Sequence, residues 1–219
     1  MRPSTVFTTA VVLATLMGAP ASAQTAEPAA GELGSTIAPA ALPAGGSSLW
    51  LTLGAPQLGV GYRQGLGAFE IGASGHLDYL RLGATVEGNL RYLAIRERWL
   101  SLAPTLALGF TGDTGATYFD EDNTAVVSAR VHPGLLLTAT VAEIFELLVG
   151  FDVPMDFGLT SEHTRVKLLA GVGGELYVGS GVSLVVMFQA GGEGYTTRFG
   201  NMEWRPALQA RFGLGVRLF

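Results

Sequence analysis

The amino-acid sequence predicts an all-β protein, an antiparallel up-and-down transmembrane β-barrel of about ten strands, with eight as the alternative. Three observations lead there. In Tyr79–Ala94, YLRLGATVEGNLRYLA, Leu80, Leu82, Ala84, Val86, Leu90 and Tyr92 share one parity, while Arg81, Thr85, Glu87, Asn89 and Arg91 share the other. Successive side chains of a strand point to opposite faces, so this reads as one strand with an apolar and a charged face. At about 3.3 Å per residue it would be roughly 50 Å long, well beyond the usual soluble strand. Secondly, the 219 residues include 31 glycines and only 14% charged residues, yet past the N-terminus there is no apolar run of about 18 residues, as a membrane helix needs. Thirdly, alternating segments and turns follow each other from Leu49 to the end, as in a membrane barrel.

The N-terminus reads differently. Arg2, the apolar Val6–Met17 and Ala21-Ser22-Ala23 form the n-region, core and cleavage site of a secretory signal over residues 1–23. The mature chain would begin at Gln24. Residues 24–47, rich in Ala, Gly and Pro, show no periodicity and read as a flexible periplasmic segment. The barrel then occupies 48–219. With no cysteine, disulfides and thiolate metal sites are excluded. A net charge of −5 speaks against a nucleic-acid partner.

In order, strands are expected over 49–54, 57–64, 68–75, 79–94, 99–111, 125–141, 146–159, 165–178, 182–191 and 204–219. An even number returns both termini to one side. The turns at 65–67, 95–98, 142–145 and 179–181 then lie beside the termini. The connections at 112–124, 160–164 and 192–203 lie opposite, and these include both long loops, the asymmetry expected of short periplasmic turns and longer outer loops. Tyr62, Phe69, Tyr92, Trp99 and Phe145 fall near the terminus-side turns, and Tyr79, Phe110, Phe157 and Trp204 near the outer loops. Amphipathic rings prefer the headgroup level, so these form two girdles.

The polar parity supplies the candidate site. Arg81, Glu87, Arg91, Arg130, His132, Asp152, Asp156, Lys167, Glu175, Gln209 and Arg211 would face the lumen. Hairpin spacing pairs Asp156 with Lys167, and roughly with His132, with Arg130 two residues away. Such a cluster can be a ligand or catalytic site, but a narrow barrel must also fill its lumen, and charges away from bulk water need partners. A salt-bridged plug is the expectation, and a narrow pore or small-ligand carrier the alternative.

The last strand, RPALQARFGLGVRLF, resembles the terminal strand of small bacterial outer-membrane β-barrel proteins. The resemblance implies a place in the outer membrane, contact with its lipids, and recognition of the final aromatic by the barrel assembly machinery. Phe219 is out of phase with the apolar set Phe212, Leu214, Val216 and Leu218, a departure that a bulge would reconcile.

Enzyme patterns are missing. Lipid A deacylases use a His and a Ser two apart on one strand, and the outer-membrane phospholipases need a comparable pair. His132, His163 and His76 have no such partner, and Ser74-Gly75-His76 runs in the reverse order. Asp113 with Asp120–Asn123 lacks the glycine and glutamate of a helix–loop–helix calcium site. Gly171-x-Gly173-Gly174 lies inside a strand and cradles no phosphate. No cofactor is expected. The loops 112–124 and 192–203, carrying Tyr118-Phe119, Tyr195 and Phe199, are where an extracellular partner would bind. A soluble barrel of lipocalin type would need the apolar parity inside.

Overall fold

The computed structural model describes Leu42 and residues 44–97, 99–178, 181–196 and 200–218. The expected signal peptide, most of the 24–47 segment and Phe219 lie outside these residues. The strands are β1 (Ser47–Ala55), β2 (Gln57–Leu66), β3 (Phe69–Asp78), β4 (Gly83–Tyr92), β5 (Ile95–Arg96), β6 (Leu100–Thr114), β7 (Ala125–Ala142), β8 (Phe145–Asp152), β9 (Met155–Gly158), β10 (Thr164–Tyr177), β11 (Val182–Thr196) and β12 (Met202–Arg217). All pairings are antiparallel, each between strand positions that follow one another along the chain, and β1 pairs with β12, so the wall closes without an edge. Closure alone removes the exposed donors and acceptors of a sheet edge.

The barrel has ten strand positions, as the alternation of the sequence indicates. β8 and β9 share one of them, since both lie between β7 and β10. They are separated at Val153-Pro154, where proline cannot donate to the ladder. β5 is a two-residue return against the start of β6.

Parity holds along the wall. In β4, Thr85 and Glu87 are buried while Val86 is 66% exposed. In β7, Ser128, Arg130 and Thr138 face in, while Val127 and Leu135 face out. Leu51, Val60, Ile71, Phe110, Phe151 and Leu208 join Val86 on the outside. An apolar band surrounding a polar interior is arranged for a hydrocarbon solvent. The purely apolar core is correspondingly small, with Leu148 meeting Val185 inside the lumen.

Three sequence expectations need correction. The founding strand is not Tyr79–Ala94 but Gly83–Tyr92. Asp78 Oδ1 accepts the amides of Leu80 and Arg81, each at 3.1 Å, and Leu82 takes a positive φ of 51°. This side-chain-capped turn interrupts an apolar parity that runs on through Leu80 and Leu82. The loop expected at 112–124 starts later, because β6 continues to Thr114. The second long loop, expected at 192–203, is mostly strand, since β11 reaches Thr196 and β12 begins at Met202. The glycines that suggested a loop serve packing instead. A side chain on Gly194 would run into the Trp204 ring lying across it.

Candidate functional site in the barrel lumen

The inward side chains form three tiers along the barrel. The tier nearest the termini holds Glu70, which accepts from Arg63 Nη1 at 3.1 Å and Arg91 Nη1 at 3.3 Å. It also accepts the backbone amide of Leu42 at 3.1 Å, so the chain leading into β1 docks beneath this tier. Glu175, wholly buried, accepts from Ser183 Oγ at 2.6 Å.

The middle tier centres on Glu87 and Asp152. His132 stands between them, with Nδ1 3.3 Å from Glu87 and Nε2 3.5 Å from Asp152. Both ring nitrogens face carboxylates, and satisfying both calls for the doubly protonated ring. His76 Nε2 approaches Glu87 at 3.8 Å, and Arg130 Nη1 at 3.7 Å. Asp152 also accepts from Gln189 Nε2 at 2.5 Å. Arg211 reaches it from β12, across two intervening strand positions, at 3.7 Å.

The outer tier is the densest. Arg130 grips Asp156 through Nε and Nη2, at 2.6 and 2.7 Å. Arg165 Nη1 binds Asp113 at 3.1 Å. Glu193 gathers four cations: Arg81 at 2.7 Å, Arg205 at 2.9 Å, Arg165 at 3.3 Å and Lys167 at 3.5 Å. Asp120, from the 115–124 connection, folds into the mouth and accepts from Arg81 and Arg205 at 2.7 to 2.8 Å. Burial opposes charge on Asp120, but hydrogen bonds from Arg205 and the charge of Arg81 outweigh it and hold the carboxyl down to about 2. Tyr195, expected in a loop, is buried in β11; its hydroxyl donates to Asp122 at 3.0 Å and Arg205 lies 4.5 Å over its ring.

Each of the eleven expected lumen residues thus has a place. Arg81 enters from the β3–β4 turn rather than from a strand, and Gln209 meets Gln57 at 3.2 Å. The pairings differ from those that hairpin spacing gave. Asp156 stands opposite Arg165 on one side and Arg130 on the other, not Lys167 or His132. The strand break at Val153-Pro154 shifts this register. Arg63, Glu70, His76, Asp113, Asp120, Arg165, Glu193 and Arg205 were not in the expected set. Parity alone could have found Glu70, which alternates with Phe69 and Ile71, and Arg165, two residues before Lys167. Trp50 is also inward, on the parity of Thr52, and stacks 5.8 Å from His76.

Between the lower and middle tiers lies a chamber of about 170 Å³, lined by Trp50, His76, Asn89, His132, Met187 and Arg211 among others. Glycine makes the space for its aromatic wall, since a side chain on Gly61 would collide with the Trp50 indole. Among the described residues no group of His, Asp and Glu has the arrangement of a metal site. On the outer surface Tyr62, Phe69 and Trp99 lie toward the terminus-side turns, and Phe110, Phe157 and Trp204 toward the opposite end, all exposed. Tyr92 pairs with Phe69, ring centroids 4.8 Å apart.

No protein-family model matches the sequence, and no curated protein matches it. Among the solved structures that are similar in part are three outer-membrane proteins or porins. The KdgM porin in complex with disordered oligogalacturonate overlaps 80% of this chain and 98% of its own, at 8% identity and a TM-score of 0.44. The outer membrane channel DcaP of Acinetobacter baumannii overlaps 86% and 56%, at 10% identity and 0.35. The outer membrane protease OmpT of Escherichia coli overlaps 79% and 93%, at 10% identity and 0.36. The strand pairing of this chain, rather than such distant likenesses, establishes its fold. Closed pairing, an apolar outer wall and a charged interior give it the form of a small transmembrane β-barrel.

Proposed function

We propose that this chain is a non-enzymatic barrel of the bacterial outer membrane, with a lumen closed by ion pairs and a role exercised structurally or at its outer surface. The observation that carries this reading is the set of contacts spanning the lumen. Arg211 on β12 reaches Asp152 on β8, Arg165 on β10 reaches Asp113 on β6, and Arg81 on the β3–β4 turn reaches Glu193 on β11. Side chains tied across the lumen from non-neighbouring strands support a closed interior, as suits a barrel well below the 16 to 18 strands of open porins.

The apolar exterior, the two sets of outward aromatic residues and the signal-like N-terminus support an outer-membrane location reached through the assembly machinery. The outer connections are the surface for a partner, above all 115–124, whose Tyr118 and Phe119 are 84% and 74% exposed while neighbouring Asp120 is anchored in the mouth. The test is single-channel recording of the refolded protein in a planar bilayer. Insertion without conductance is the expected result; discrete, reproducible steps would sink the closed-lumen reading.

A narrow pore or small-ligand carrier is the second reading, favoured by the chamber between the tiers. In that case neutralising Arg91 or Arg130 changes ion selectivity.

A further inference from the structure

We propose that the chamber between the lower and middle tiers is a binding site for a small carboxylate, seated on Arg211. The guanidinium carries five N–H donors in a fixed fork, but Arg211 uses few of them. Nη2 donates to Gln189 and lies 3.7 Å from Asp152. Nε is buried with no hydrogen-bond partner. Asp152 is already engaged by Gln189 at 2.5 Å and by His132, so it does not saturate the arginine. A buried donor without an acceptor is costly, and the planar fork matches a carboxylate bidentately.

The rest of the chamber suits the remainder of such a molecule. Trp50 and Met187 offer an apolar wall, and the lining carboxylates Glu70, Glu87 and Asp152 are each already held by a basic side chain. At about 170 Å³, the space resembles cavities of about 150 Å³ that take a benzene-sized guest. The ligand is therefore a monoanion of short-chain or single-ring size. The inference goes beyond the closed-lumen reading and does not depend on conductance, because a site reached from one mouth need not lead to the other.

The chamber contains its own reporter. The sequence has three tryptophans, and Trp99 and Trp204 lie on the outer wall. A Trp99→Phe/Trp204→Phe protein in detergent micelles therefore emits from Trp50 alone. Iodide serves as anionic quencher and acetate as competitor, with caesium as the cationic control. Saturable quenching by iodide, relieved by acetate and not reproduced by caesium, is the expected result. Arg211→Gln should raise the half-saturating concentration about tenfold or more, as the loss of charge-assisted hydrogen bonds implies. Arg211→Lys should weaken binding less, since it keeps the charge and loses only the fork. Linear quenching shared by iodide and caesium would mean a chamber holding water only. Saturable iodide quenching that acetate leaves unchanged would overturn the carboxylate assignment. Either result sinks the proposal with the native lumen intact, and so does unchanged affinity in a folded Arg211→Gln protein.

Discussion

Replacing Asp156 with leucine asks how dry the lumen is. Arg130 donates to Asp156 twice, at 2.6 and 2.7 Å, and their side chains are only 9% and 4% exposed. Removing one partner of a buried pair costs about 3–5 kcal/mol, because the other charge is left without compensation. Here Arg130 keeps Glu87 at 3.7 Å, so the lower end applies, about 3 kcal/mol. The companion Arg130→Met/Asp156→Leu removes both charges. His132 and His76 still face Glu87, and the double variant should lie within about 1 kcal/mol of the parent, as apolar replacements of whole buried pairs do. Reversible urea unfolding from lipid vesicles, followed by tryptophan emission, measures the parent, the single variants Asp156→Leu and Arg130→Met, and the double variant. The sum of single effects should then exceed the double effect by a few kcal/mol. A cost below about 1 kcal/mol for Asp156→Leu is the value for a solvated pair. It would mean a water-filled lumen, and the closed-lumen reasoning would fail.

Three other outcomes are expected. Val86→Arg on the outer wall should weaken folding into vesicles by up to about 2–4 kcal/mol, the cost of a cation facing lipid near the midplane; an effect near zero would contradict a membrane-facing exterior. Asp120, held down to about 2 from an ordinary 3.8, contributes stability that is complete above about pH 4 and lost as pH falls toward 2. Protease resistance of the 115–124 connection should follow that window, and Asp120→Asn should abolish its pH dependence; cleavage already rapid at pH 6 in the parent would show the latch is absent. His163, where burial first and Arg165 second push the ring below its ordinary 6.5, contributes stability that is complete above about pH 6.5 and eroded as pH falls further. Its ring resonances should titrate below that value by NMR, and a midpoint above it would refute the assignment.

Much of this architecture was legible because the period of a strand is two. Val86 and Glu87 declare opposite faces from sequence alone, and a barrel with one solvent outside and another inside preserves that contrast along every strand. Ends were less legible, because they depend on single side-chain decisions. Asp78 closes a turn in the middle of a continuing apolar parity, and Gly192 and Gly194 read as a loop although Trp204 lies against them in the wall. Partnerships across the lumen were least legible. Alternation says that Arg211 and Asp152 face inward, but β12 and β8 are not hairpin neighbours, and only closure of the cylinder brings them to 3.7 Å. Trp50 was missed for a related reason, since its inward place depends on Gly61 opposite, which leaves room for the indole.

The break between β8 and β9 has a mechanical consequence. Pro133 on β7 and Pro154 between β8 and β9 each withhold an amide donor from the same belt of the wall. What bridges it is the Val153 amide donating to Pro133 and the Lys167 amide donating to Pro154, each at 2.9 Å. Asp152 anchors the middle tier just below this belt, and Asp156 the outer tier just above. This one position of the wall therefore has a local seam, with Asp152 on one side of it and Asp156 on the other. Under pulling force or denaturant, the ladder of β8 and β9 can open there first, while the unbroken strands elsewhere and the Arg130 contacts to both Asp156 and Glu87 hold the two floors together.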